Sequence, residues 1–169
     1  MALPSAPKLT PTGAVYSAFS KEVIYIVPTI ANPAAPTLAE FNAGKDVSLQ
    51  VQAVNGFATA VASLDVPRLG TNFTGNIGGR ETADASSIVF YASDAGPTDD
   101  VRSQASLLQN AKGFVVIFNE GVVTSGSCDI WPYRVGSVSV AQDVEAVKLI
   151  TVNFNIYTAP SRNIAIPTA

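Results

Sequence analysis

Val147–Tyr157 reads VKLITVNFNIY, and its alternation decides the fold class. Ile150, Val152, Phe154 and Ile156 fall on one side, and Thr151, Asn153, Asn155 and Tyr157 on the other. A period of two with one apolar and one polar face is the signature of a half-buried strand. Sheets built from such strands are usually antiparallel, because a polar face needs water rather than a crossover helix. The same logic extends outward. Val23–Val27 (VIYIV), Ser86–Ala92 (SSIVFYA) and Phe114–Phe118 (FVVIF) are β-branched and aromatic runs bounded by turn residues. Ile130–Val140 is a further strand, with Pro132 and Gly136 marking a bulge or an edge.

Val47, Leu49, Val51 and Ala53 alternate with Ser48, Gln50 and Gln52. Asn55-Gly56 follows, the strongest short hairpin signal, and Phe57–Leu64 is expected to return as its second strand. Gly70–Arg80, with Gly75, Gly78 and Gly79, reads as a long polar loop. Thr37–Phe41 is expected as a helical turn ending near Gly44. One proper helix is expected over about 98–110: Thr98 is the N-cap, Asp99 and Asp100 lie in the first turn, and Val101, Ala105 and Leu108 share a face with Leu107 beside it. These elements predict a single domain over 1–169, mainly β: an antiparallel β-sandwich or partly open barrel over 13–158 with one flanking α-helix.

Both ends read as extended arms. Residues 1–12 carry Pro4, Pro7 and Pro11, and 159–169 carry Pro160 and Pro167 around Ile164 and Ile166. Proline fixes φ and removes a donor, so these ends favour extended conformations suited to lying across a neighbour.

Composition narrows function by exclusion. Of 169 residues, 47% are hydrophobic and 14% charged, against about 25% charged in an average domain. A surface this poor in charge suits a protein covered by partners. The net charge is −3, and the ten Lys and Arg are scattered, so a phosphate-gripping patch is not expected. With no histidine, His-based triads, bases and metal ligands are excluded. Cys128 is the single cysteine, so no internal disulfide forms, and no His exists to activate its thiol. Neither a secretory leader nor a membrane-spanning helix is read in the sequence.

The motifs that suggest chemistry lack context. Asp94, Asp99 and Asp100 do not follow an EF-hand spacing. Gly75-Asn76-Ile77-Gly78-Gly79-Arg80 lacks the strand before and helix after that a nucleotide loop requires. Asp143 and Glu145 are the weak basis for a hydrolase. A sugar- or protein-binding module would use aromatics such as Trp131, Tyr133 or Tyr157. The reading favours no enzyme and no cofactor.

The chain resembles the tail tube proteins of long-tailed bacteriophages, especially those infecting actinobacteria. The resemblance rests on the opening MALPSAPKLTPTGAVYSA, on KEVIYIVPTIANPAAPTLAEFNAGKDVSLQVQAVNGF (21–57) and on DVPRLG (65–70). It continues in GFVVIFNEG and DIWPYRVGS within Gly113–Ser137, and closes with TVNFNI and NIAIP. It implies a virion structural protein, made in the host cytoplasm, forming hexameric rings that stack into a conduit for DNA. Implied partners are further copies of itself and the tape measure, tail terminator and distal tail proteins, with DNA passing unbound and no membrane contact. Other virion roles, as terminator, distal tail or capsid decoration protein, share this chemistry on paper. Within such a tube, the polar positions Ser48, Gln50, Gln52, Thr59 and Ser63 are candidates for the lumen wall. The loop residues Gly70, Thr74, Gly75, Asn76, Gly78, Gly79 and Arg80 are candidates for contact between rings. Pro4, Pro7, Pro11, Ile164 and Ile166 are the candidate arm contacts.

Overall fold

The computed structural model describes residues 22–67, 70, 73–92, 104–123, 126–141 and 147–167. The strands in chain order are β1 (Val23–Val27), β2 (Lys45–Asp46), β3 (Val51–Asn55), β4 (Thr59–Val66), β5 (Gly75–Ala83), β6 (Ser86–Tyr91), β7 (Lys112–Phe118), β8 (Ser127–Ala141), β9 (Leu149–Ile156) and β10 (Ser161–Ala165). Eight of them form one antiparallel sheet in the order β2-β1-β7-β8-β9-β6-β3, with β10 also on β8; β4 and β5 pair with each other.

The large sheet is rolled but not closed. Lys45–Asp46 sits at one edge and Val51 begins the other, so four residues, five Cα steps, bridge the two edges, at most about 17 Å of chain. Ser48 ties this bridge down: its hydroxyl accepts from the Ile24 backbone N–H at 2.9 Å and donates to Asp46 at 2.6 Å. Inside the roll lies the main core, with Ile24 and Ile26 of β1, Val115 of β7, Trp131, Tyr133 and Val135 of β8, Ile150, Val152 and Phe154 of β9, and Ile88 and Phe90 of β6. The expected alternation of Val147–Tyr157 holds, with Ile150, Val152 and Phe154 buried and Asn153 and Asn155 exposed.

β1, β7 and the first half of β8, up to Tyr133, are dry on both faces, which is why VIYIV and FVVIF read as unbroken apolar runs. Their outer faces carry Val27, Val116, Phe118, Cys128 and Ile130. A lid covers them, made of Ile30 and Phe41 from the helical side and Ile164 and Ile166 from the C-terminal segment. Phe41 belongs to α1 (Leu38–Asn42), whose capping box is complete: the Thr37 side chain accepts from Glu40 N–H and Glu40 accepts from Thr37 N–H. Pro132 is tolerated within β8 because the neighbour changes there: the β10 ladder ends at Ile130 and the β9 ladder begins at Tyr133. The bulge expected at Gly136 is present, as the β8–β9 register shifts between Val135 and Ser137.

Three expectations are corrected. Residues 48–50 form a 3-10 turn instead of strand. Over 104–110 the expected helix is only a 3-10 turn at Ala105–Leu107, with Leu107 buried and Leu108 exposed; residues 98–103 lie outside the described segments. Asn55-Gly56 is a kink instead of a hairpin turn. Asn55 lies opposite Ser87 and Thr59 opposite Ala83, so the four steps between them are matched one for one on both strands. β3–β4 and β5–β6 are therefore the two sides of one long hairpin, bent where Gly56 (φ 78°) and Phe57 (φ 49°) adopt left-handed backbone. A Cβ on Gly56 would sit 2.3 Å from the Ala85 carbonyl oxygen, so only glycine fits.

The bend turns Phe57 inward. Its ring meets Trp131 edge-on at 5.6 Å and Phe154 at 6.0 Å, and its N–H donates to the Ser86 hydroxyl at 3.1 Å. A non-glycine residue at positive φ costs about 1–2 kcal/mol, which burial of the ring offsets. Phe57→Ala is expected to lower stability by about 3 kcal/mol in urea unfolding, with the far-UV spectrum of the folded state retained.

Candidate functional site

Beyond the kink the long hairpin leaves the body. β4 spans eight residues, a reach of about 26 Å. Among the described residues, β4 and β5 pack extensively only on each other. Leu64 lies directly opposite Ile77 and is 53% exposed, with Ile77 58% exposed. Ala60, Ala62 and Val66 alternate onto the same side of β4 as Leu64. Phe73, near the tip, is 78% exposed. This arm thus presents an apolar face with little of its own chain against it, the kind of surface that marks an interaction site.

The glycines read as a loop belong to this arm. Gly75, Asn76, Gly78, Gly79 and Arg80 are all in β5, while Gly70 and Thr74 lie in the connection. β5 carries one extra residue between Glu81 and Gly78, opposite Val61–Ser63. Gly79 serves close approach, since a Cβ there would lie 3.0 Å from Leu64 Cγ and 3.0 Å from the Ala62 carbonyl oxygen.

The polar positions expected to share one face do not come together on one hairpin. Ser48 is engaged in anchoring the segment between the two sheet edges, and Gln50 sits with it in the 3-10 turn. Gln52 is exposed at a register break in β3. Thr59 and Ser63 lie on β4, where Thr59 Oγ1 accepts from Arg162 Nη2 at 2.8 Å. Ile164 and Ile166 are partly buried against the second core cluster, so the C-terminal segment packs at home more than its prolines suggest. Pro4, Pro7 and Pro11 lie outside the described residues, as do Asp94, Asp99, Asp100, Asp143 and Glu145.

Of the residues that suggested ligand binding or chemistry, Trp131, Tyr133 and Cys128 are buried. Trp131 and Tyr133 are core residues; Tyr157 is the exposed aromatic of the three. The Tyr133 hydroxyl donates to the Ser106 carbonyl at 2.8 Å, and burial raises its pKa. Cys128 is fully buried, and burial, with Asp129 beside it, pushes its thiol up to about 11. Among the described residues no three His, Cys, Asp or Glu side chains are placed to hold a metal.

A profile of the phage tail tube protein family matches residues 13–169. The chain belongs to that family. This tail tube protein is therefore a structural component of the virion tail. No curated protein sequence matches it. Its fold is similar to that of a chain in the tail of an empty gene transfer agent particle, refined with C6 helical symmetry: TM-score 0.54, 13% identity, covering 88% of this chain and 98% of that one. It is also similar to a chain in the sixfold-symmetrised baseplate of the anti-feeding prophage: TM-score 0.52, 12% identity, covering 90% and 96%.

The buried thiol and phenol of this tail tube protein set an alkaline limit. The folded state keeps the Cys128 proton that an unfolded chain releases near pH 8.5. Its contribution is fully present below that pH and is lost as pH rises toward 11; Tyr133 acts in the same direction. Thermal unfolding temperature is expected to fall steadily above about pH 9, and Cys128 to stay unreactive to thiol reagents at pH 8 until the protein unfolds.

Proposed function

We propose that this chain assembles into sixfold rings that stack into a tail tube, the conduit through which a phage genome leaves the particle. The observation that carries this reading is the projecting β4–β5 arm, whose Leu64–Ile77 face is apolar and exposed. A monomer gains nothing from such a face, whereas a neighbouring copy buries it. The sixfold symmetry of the two particles with similar folds supports the ring size. Rings repeated through a heterologous contact extend as a filament, which fits a tube.

In this reading the arm, from Gly70 through Arg80, is the contact between rings, and Ile164, Ile166 and the proline-bearing segment 1–12 add to it. Gln52 and Ser63 remain the lumen-wall candidates, with Ser48, Gln50 and Thr59 nearer to structural roles. A wall poor in positive charge suits DNA that must slide without binding. Assembly takes place in the host cytoplasm, with tape measure, terminator and distal tail proteins as further partners, and the quoted segments point to phages of actinobacteria. A structural role without catalysis fits a chain that lacks histidine.

The purified protein at high concentration is expected to form long hollow rods in electron micrographs. The double variant Leu64→Ser/Ile77→Ser is expected to stay folded, with its unfolding midpoint within about 0.5 kcal/mol of the parent as for other exposed sites, yet to form no rods. Single rings from the parent would indicate a terminator, and solitary particles at every concentration would refute assembly.

A further inference from the structure

The arm leaves the body through two short links, Gly56–Ala58 and Asp84–Ala85, and these form a pivot. Phe57 is its anchor in the core. The Ser86 hydroxyl accepts from Phe57 N–H at 3.1 Å and donates to the Asp84 carbonyl at 3.1 Å, and Asp84 N–H donates to the Ala58 carbonyl at 2.9 Å. These bonds hold the base of the arm but leave its angle open. A cleft of about 320 Å³ separates Thr59, Glu81 and Thr82 at that base from Tyr157, Thr158 and Pro160 in the connection between β9 and β10. The arm has room to swing.

One side chain from the C-terminal strand reaches the base of the arm beside this cleft. Arg162 Nη2 donates to Thr59 Oγ1 at 2.8 Å, and its guanidinium lies 5.1 Å from the centre of the Trp131 ring, the same ring that Phe57 meets edge-on. The backbone aims it there. Asn163 has φ 53°, its N–H donates to Asp129 Oδ1 at 2.8 Å, and the β10–β8 register breaks between Ser161 and Ile164. A break of this kind redirects a side chain out of the regular pleat. A guanidinium suits the position because it can lie over the indole and still donate sideways, which an ammonium cannot do as well.

We propose that Arg162 is a positioning residue for assembly: it latches the arm at one angle, so the arm and the C-terminal strand meet a neighbouring copy as one preset unit. The assembly part rests on the tube reading; the latch itself does not. Presetting the arm lowers the ordering cost that each docking event would otherwise carry.

The test measures arm angle on isolated subunits. Spin labels at Asn76→Cys on the arm and Ser139→Cys on the body report one distance, and native Cys128 is buried and stays unlabelled. The parent is expected to give a narrow distance distribution. Arg162→Gln and Thr59→Val are each expected to broaden it at least twofold with unchanged unfolding temperature. Emission from Trp131, the sole tryptophan, is expected to shift in Arg162→Gln but not in Thr59→Val. Arg162→Lys is expected to restore the narrow distribution in part. A distribution as narrow in Arg162→Gln as in the parent would overturn the latch. Rod growth, followed separately by light scattering, is expected to be about tenfold slower in Arg162→Gln. Unchanged growth alongside a broadened distribution would overturn the link to assembly while leaving the arm's role in the tube intact.

Discussion

The insertion of Phe57 between Trp131 and Phe154 is the constraint on which the architecture turns. It converts a single long hairpin into two functional halves. The half before the bend, β3 with β6, forms the far edge of the open roll around the core; the half beyond it, β4 with β5, stands away from the body. The left-handed backbone at Gly56 and Phe57 is strained, and it persists because the ring has a dry, aromatic socket waiting for it. Were the ring expelled, the strain would have no compensation and the hairpin could straighten.

The core tolerates this bend because its other supports are redundant. β1, β7 and the first half of β8 are covered on both faces, inside by the residues of the roll and outside by Phe41, Ile30 and the C-terminal isoleucines. Among the described residues no buried side-chain polar atom lacks a partner. Ser48 and Glu40 show how the economy works. Each carries two hydrogen bonds or more at a loop junction, and the backbone and hydroxyl donors on Glu40 hold its carboxyl below the usual range.

Legibility in the sequence follows the range of the forces involved. Val23–Val27, Phe114–Phe118 and Leu149–Ile156 announce themselves because burial acts on each residue separately and leaves a pattern along the chain. The capping box at Thr37 and Glu40 is equally local. Asn55-Gly56 misleads because the left-handed backbone it favours serves a bend as readily as a turn; which one forms depends on whether residue 57 finds a socket some 75 residues away at Trp131. Gly75–Arg80 reads as loop because glycines weaken strands on their own, yet Gly79 is what lets Leu64 lie flat across the pair. The segment at 104–110 has an amphipathic periodicity, but Leu107 and not Leu108 is the residue drawn into the core, and the turn tightens accordingly. The family, by contrast, is legible through whole phrases of sequence, since it needs no knowledge of which strand pairs with which. The exposed apolar face of the arm is not: Leu64 and Ile77 are indistinguishable in sequence from buried residues.

The shared register on either side of the bend carries an evolutionary consequence. A single-residue insertion in one limb of the long hairpin must be absorbed as a bulge, as the extra residue of β5 between Glu81 and Gly78 is, or it shifts every side chain beyond it to the opposite face. Divergence in length must therefore accumulate at the tip, arrive as matched changes in both limbs, or be taken up in a bulge. Related chains should vary freely in how far the arm extends and hardly at all in the count of residues between the bend and the first rungs above it.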